Sequence, residues 1–176
     1  VTDDKEIYGQ LKQYLHENQP EDENRLRLYE DAMLPLAKLY QIDKAMEEAL
    51  STHVWLKSGG YLVIEPTEAM TVIDVNTGKY TGKKNKRDTI LKINLEAAAE
   101  ISHQMRLRNL SGIILVDFID MEEKEDQELL MKTLAVQCAR DPVKTTVVDM
   151  TRLNLVEITR KKIRKPLHEQ VRLFGR

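Results

Sequence analysis

Two runs of β-branched and aliphatic residues constrain this chain more than anything else in it. They are Thr71-Val72-Ile73-Asp74-Val75-Asn76 and Ile113-Ile114-Leu115-Val116-Asp117-Phe118-Ile119-Asp120. Runs of this kind read as buried strands. Each meets an aspartate near its C-terminal end, where an unpaired buried charge would be expensive. Two such carboxylates on similar strands point to one site at which both face a shared cation. A hard divalent ion such as Mg²⁺ takes oxygen ligands, often only one or two protein carboxylates, with water and phosphate supplying the rest. The plainer alternative is that each aspartate merely opens a turn. The repetition of the pattern favours the site.

The surroundings of Asp74 strengthen that reading. Tyr61–Glu65 and Met70–Val75 resemble two strands joined by the tight turn Pro66-Thr67-Glu68, hence a hairpin. Asp74 then opens onto a polar loop carrying Lys79, Lys83, Lys84, Lys86 and Arg87 with Gly78, Tyr80 and Gly82 among them. Alone, such a loop is a solvated surface segment. Beside a metal-binding carboxylate, its cations and glycines suit a polyanion that approaches the backbone closely. Asn76, two residues beyond Asp74 on the same face of an extended segment, can hydrogen-bond substrate or metal-bound water. Asp120 is a further candidate acid.

Between the two strands a helix from Asp88 or Thr89 to about Arg108 carries a core stripe of Leu91, Leu95, Ala98, Ile101 and Met105. Asn94 and Glu96 flank that stripe near the helix start, His103 reads as a surface histidine, and Asn109-Leu110-Ser111-Gly112 ends the helix. A charged helix follows over Glu122–Ala139, with Cys138 as a small packing residue. Lys144–Met150 is a strand, and Leu153–Ile163 leans towards one. Arg160-Lys161-Lys162 and Arg164-Lys165 place five cations within six residues, a second basic cluster.

The opening third shows nothing that looks like chemistry. Residues 3–17 read as a helix with Ile7, Leu11, Tyr14 and Leu15 on one face. Glu17–Asn24 is a loop, Arg25–Tyr29 a short half-buried strand, and Met33–Leu50 a helix broken near Gln41-Ile42-Asp43. His53–Leu56 is a strand, and Trp55 and Tyr29 read as packing residues rather than ligand stackers. Ser58-Gly59-Gly60 is the clearest punctuation in the chain and the candidate domain boundary.

Bulk properties bound the function. A chain of 176 residues with 41% hydrophobic and 32% charged residues allows one ordinary domain, or one domain plus an appended piece, and a net charge of −2 does not by itself announce nucleic acid. Cys138 is the only cysteine, which excludes an intrachain disulfide and fits a reducing, cytoplasmic setting. No apolar run nears the length of a membrane span, and no signal peptide is visible. The first residue is Val, as in a piece of a longer protein. No Ser-His-Asp pattern, Walker loop or dinucleotide fingerprint is present. Metal-assisted phosphoryl chemistry is what remains.

Longer stretches carry a family resemblance. Trp55-Leu56-Lys57-Ser58-Gly59-Gly60-Tyr61-Leu62-Val63-Ile64 resembles the ribonuclease E/G family, as do Glu68-Ala69-Met70-Thr71-Val72-Ile73-Asp74-Val75-Asn76-Thr77-Gly78 and Asn94-Leu95-Glu96-Ala97-Ala98. Most specific is Arg106-Leu107-Arg108-Asn109-Leu110-Ser111-Gly112-Ile113-Ile114-Leu115-Val116-Asp117-Phe118-Ile119-Asp120-Met121. The similarity continues through Leu155–Arg160. It implies an α/β layered fold: residues 58–166 as a DNase I-like catalytic subdomain, residues 1–57 as the end of an RNase H-like subdomain, and residues 167–176 as a tail. It further implies Mg²⁺ held by Asp74 and Asp117, with Asn76 supporting the attack geometry. The implied reaction is endonucleolytic hydrolysis of single-stranded RNA to 5′-phosphate and 3′-hydroxyl ends. Lys144 falls where the family places a basic residue that recognises a 5′-monophosphate, with Lys in place of the bidentate Arg. The family's S1 domain, 5′-sensor region and Cys-Pro-x-Cys zinc link are outside this sequence; that link supports assembly in the family, leaving room for a homo-oligomer. Two other readings fit the bare residues. One is a non-catalytic RNA-binding or assembly module, and the other a metal-dependent phosphodiesterase on another substrate.

Overall fold

A computed structural model describes residues 1–78 and 86–174 of the chain. Two compact units divide it, Val1–Glu47 and Glu48–Arg176.

In the first unit, helix α1 (Lys5–Asn18) begins where Asp4 accepts hydrogen bonds from the amides of Glu6 and Ile7, satisfying donors that a helix start leaves free. Its expected apolar stripe is not buried: Ile7, Leu11 and Tyr14 are all exposed. Pro20–Arg25, expected as loop, winds into a 3-10 helix. Arg25–Tyr29 is not a strand; a single bridge from Thr2 to Leu28 is all that forms there. The helical stretch after Met33 resolves into α2 (Leu36–Leu39) and α3 (Ile42–Leu50). Gln41, at φ 51°, makes the break between them.

The second unit is built on a six-stranded sheet in the order β1-β2-β3-β4-β6-β5. Its strands are β1 (His53–Trp55), β2 (Tyr61–Pro66), β3 (Met70–Asn76), β4 (Gly112–Asp117), β5 (Thr145–Met150) and β6 (Leu155–Arg160). β3 and β4 are parallel, joined by the 22-residue helix α4 (Lys86–Leu107), and every other pairing is antiparallel. Helix α5 (Lys124–Cys138) follows β4, and α6 (Leu167–Phe174) closes the described chain. The result is an α/β layered fold. Because β1 pairs with β2, Ser58-Gly59-Gly60 turns within one sheet, and the compact units divide earlier, after Glu47.

One face of the sheet supplies the core. Leu62, Ile64, Ile73, Val75, Ile114, Val116, Val156 and Ile158 pack with Ile93, Ala97, Ala98, Ile101 and Met105 of α4 and with Leu130, Leu134 and Cys138 of α5. Burial pushes the Cys138 thiol up to about 11, which makes it a packing residue at neutral pH. Among the described residues the strands are therefore covered on one side only. Alternate residues such as Val72, Asp74, Ile113, Leu115 and Asp117 emerge on the other face. The apolar runs look buried throughout, but half of each lines this more open face.

The end of α4 fixes the entry into β4. Asn109 takes φ 49°, and the Leu110 and Asn109 amides bond back to the carbonyls of Met105 and Arg106, a Schellman closure with Asn in the left-handed position. Beneath it lies the best-buried ion pair. Arg160 donates to Asp141 at 2.8 Å, to the Asn109 side chain at 3.0 Å and to the Leu110 carbonyl at 2.9 Å. The two charged side chains are 3% and 1% exposed. Burial alone would raise the Asp141 carboxyl, but hydrogen bonds from Arg160 and the Val143 amide hold it below the ordinary value.

Replacing one member of this pair strands the other. Arg160→Met is expected to cost about 3–5 kcal/mol in urea unfolding, and the double change Arg160→Met/Asp141→Leu to recover much of it. Since the folded Asp141 value is depressed, its contribution is present above the ordinary carboxylate range. It is lost as pH falls through the depressed value.

Candidate active site

The parallel pairing of β3 with β4 places Asp74 directly beside Asp117. Partners in adjacent strands point to the same face, with backbones about 4.8 Å apart. Both side chains stand on the open face of the sheet and both residues are exposed. Asn76, two residues along the same face, donates its amide to Asp74 Oδ2 at 2.7 Å. Burial raises the Asp117 carboxyl, and the neighbouring charges of Asp74 and Asp120 raise it further. Among the described residues no Lys or Arg forms an ion pair with Asp74 or Asp117.

This donor set fits a hard divalent cation: two adjacent carboxylates and a third nearby, mutually repelling, accessible and, among the described residues, without an ion-paired cation. Among the described residues no group of three His, Cys, Asp or Glu side chains is arranged to cage a metal. The fit is therefore to an ion such as Mg²⁺ that keeps most of its ligands as water and substrate oxygen.

Residues flanking the α4 stripe hold the strand ends in place. Asn94, fully buried, donates to the Ile119 carbonyl at 2.8 Å and accepts from the Ile119 amide at 3.2 Å. The segment between Asp117 and Asp120 is thereby tied to the helix. Glu96 accepts from the amides of Lys57 and Ser58 at 2.7 and 3.1 Å, fixing the turn between β1 and β2. Gly60 and Gly78 let that turn approach the end of β3. A Cβ on Gly60 would lie 2.7 Å from the Asn76 carbonyl oxygen, and one on Gly78 would overlap the carbonyl of Gly59. Sequence reasoning places neither Asn94 nor Glu96. Their signal, a polar residue on an otherwise apolar helix face, is legible only once the face is known.

The remaining candidates divide. Lys79, Lys83 and Lys84 lie outside the described residues. Lys86 is exposed at the start of α4, and Arg87 is bound to Asp126 through two hydrogen bonds of 2.7 and 3.0 Å. That attachment holds the guanidinium's own protonation more firmly and lowers the Asp126 carboxyl. Its charge is thus partly spent within the protein. Asp120 accepts from Asn154 at 3.1 Å. With Lys86, Arg87, Ile90 and Glu123 it lines a cavity of about 320 Å³.

The second basic cluster sits elsewhere. Gly112 pairs with Arg160 whereas Asp117 pairs with Leu155, so the cluster lies five residues, or about 17 Å, down the sheet from the carboxylates. Arg160 is not a free cation at all, being consumed by the buried pair with Asp141. Lys161 and Lys162 are exposed, and the Lys161 amide bonds to the Lys144 carbonyl at 3.0 Å. Lys144 and Lys161 line a shallow cavity with Ile113, Thr146 and Thr159. They form a separate basic region at the opposite end of the strands.

Comparison with known proteins supplies the family. The family model described as "Ribonuclease E/G family" matches residues 1–163. Ribonuclease G of Haemophilus influenzae is 44% identical over 165 residues, covering 94% of this chain and 33% of the relative. Ribonuclease G of Escherichia coli K12 is 41% identical over 166 residues, 94% of this chain and 34% of the relative. Ribonuclease E of a Nostoc species is 45% identical over 141 residues, 80% of this chain and 20% of the relative. The chain spans about a third of the length of the ribonuclease G relatives it matches. With the family model matching residues 1–163 and identities of 41% and 44% to the ribonuclease G relatives, the chain belongs to the ribonuclease E/G family.

Proposed function

We propose that this chain is the catalytic part of a Mg²⁺-dependent endoribonuclease acting on single-stranded RNA and leaving 5′-phosphate and 3′-hydroxyl ends. The observation that carries the reading is the side-by-side exposure of Asp74 and Asp117, with no Lys or Arg ion-paired to either among the described residues, in a chain of this family. Asp74 and Asp117 would hold the ion, and Asn76 orients the Asp74 carboxylate through its 2.7 Å hydrogen bond. A bound Mg²⁺ would polarise the phosphodiester, make its water a better nucleophile and offset developing charge. Asn94 and Glu96 keep the two strand ends and the Lys57-Ser58 turn in register around the reacting group. The cations of the segment following Asn76, together with Lys86, supply phosphate contacts near the chemistry. Lys144, Lys161 and Lys162 contact the RNA farther away, with Lys144 the candidate for a 5′-monophosphate.

The DNase I-like and RNase H-like assignments belong to this same reading, as does assembly into a homo-oligomer. No helix among the described residues is long and apolar enough to cross a membrane. A cytoplasmic setting accords with an unpaired, buried Cys138.

The decisive measurement is Mg²⁺ titration with a 5′-monophosphorylated single-stranded RNA. Asp74→Asn and Asp117→Asn are each expected to lower cleavage on the order of 10²–10³-fold or more, with circular dichroism unchanged. Asn76→Ala, which only loosens a ligand's orientation, is expected to cost about 10–100-fold. Salt-sensitive RNA binding indifferent to Mg²⁺ and to both aspartates would identify a binding module instead.

Stability gives an independent check. A carboxyl whose folded value is raised binds protons more readily in the native state, so its ionisation works against the fold. Asp117→Asn is therefore expected to raise Tm at neutral pH in chelator, where no divalent cation offsets the charge. The gain should shrink as pH falls through the raised folded value and vanish below the ordinary carboxylate range.

A further inference from the structure

Trp55 does not pack in the core. It is 70% exposed, on the three-residue strand β1, with its ring 5.2 Å from that of Tyr61 at an interplanar angle of 53°. His53, two residues before Trp55 on the same strand, also lies near the Tyr61 ring, ring centroids 5.8 Å apart at 32°. Leaving the largest apolar side chain in water forgoes the burial that usually decides where an aromatic sits.

Strand register places this cluster beside the carboxylates. Trp55 pairs with Tyr61 and Tyr61 with Asn76, so the three share one face and one row. The neighbouring row runs His53, Val63, Asp74, Asp117. Tyr61 is thus the direct cross-strand neighbour of the asparagine that holds Asp74. Trp55 lies two strands from Asn76, about 10 Å at the usual strand spacing. That distance is roughly three nucleotides at a stacked rise of ~3.4 Å.

From this arrangement we propose that Trp55 and Tyr61, flanked by His53, form a base-stacking platform that seats nucleotides adjacent to the bond cut at Asp74 and Asp117. The proposal rests on the ribonuclease reading and adds to it the surface that receives the bases. An RNA strand whose phosphate lies at the carboxylates must run its neighbouring bases over the same face. Two of those neighbouring positions carry aromatic rings. Every base has a π-face, so such a platform binds single strands with little regard to sequence. A duplex, whose bases are already stacked, gains nothing from it. The exposed Lys57, two residues beyond Trp55, adds a cation close by for the backbone of the strand.

Trp55 is the only tryptophan in the chain, so its fluorescence reports the platform alone. A single-stranded RNA labelled for anisotropy is titrated into the protein in chelator, where no cleavage occurs, with both signals followed. Stacking is expected to quench Trp55 in parallel with the anisotropy rise. Trp55→Ala is expected to weaken binding by about ten-fold, Trp55→Phe to restore most of it, and duplex RNA of the same sequence to leave emission unchanged. RNA that binds with Trp55 emission unmoved, and equally well to Trp55→Ala, overturns the platform and leaves the nuclease reading standing. A shift in Trp55 emission that follows protein concentration rather than RNA assigns the surface to a protein contact and overturns it too. A chain that neither binds nor cleaves RNA removes the nuclease reading and the platform with it.

Discussion

Everything at the candidate site depends on the register between β3 and β4. In parallel strands side chains alternate faces with period two, so a slip of one residue would send Asp117 into the core while Asp74 stayed in solvent. The observed register puts the two acids side by side. What holds it is the crossover: α4 buries Ile93, Ala97, Ala98, Ile101 and Met105 against the inner sheet face, and the Asn109 turn delivers the chain to β4 at one fixed position. The Asn94 clamp on Ile119 then pins the far end of the strand. Ordinary packing, not a bond between the acids, brings two like charges together. The packing energy of the crossover carries the electrostatic strain of holding the two carboxylates side by side.

Cations in this protein are allotted to two purposes, and their positions in sequence do not distinguish them. Arg160 opens a run of exposed lysines yet is the most deeply committed cation seen, enclosed by Asp141, Asn109 and Leu110. Arg87 is held to Asp126 by two hydrogen bonds. Lys86, Lys144, Lys161 and Lys162 are exposed. Arg's planar fork makes it the residue for ion pairs that bridge elements, while Lys keeps its charge in water. Basic clusters counted along a chain therefore overstate the charge available to a polyanion.

Much of this was legible before any coordinates. The two β-branched runs, the helix between them and the asparagine-glycine turn follow from periodicity and local backbone preference. So does the expectation that Asp74, Asn76 and Asp117 belong together, which family resemblance sharpened. What escaped were properties of the third dimension. Continuous apolar runs look alike whether one face or two is covered, so the open face went unseen, and with it the exposure of Trp55. The strand expected at Arg25–Tyr29 lacks a partner beyond one bridge; alternation supplies a pattern for pairing but not a neighbour. The separation of about 17 Å between the carboxylates and the second basic region is set by which residue of β6 faces Gly112, a matter of topology.

The sheet is open, and its two outermost strands differ from the inner ones. β1 has only three residues, and the pairing of β5 slips between Val147 and Met150. A row of unpaired backbone amides and carbonyls is a template on which another chain can add itself. Shortness at one margin and irregularity at the other deny that template a long, flat stretch. The two borders are thereby poorly suited to seed fibrils, and the protein can keep an apolar, solvent-facing sheet surface without paying for it in aggregation.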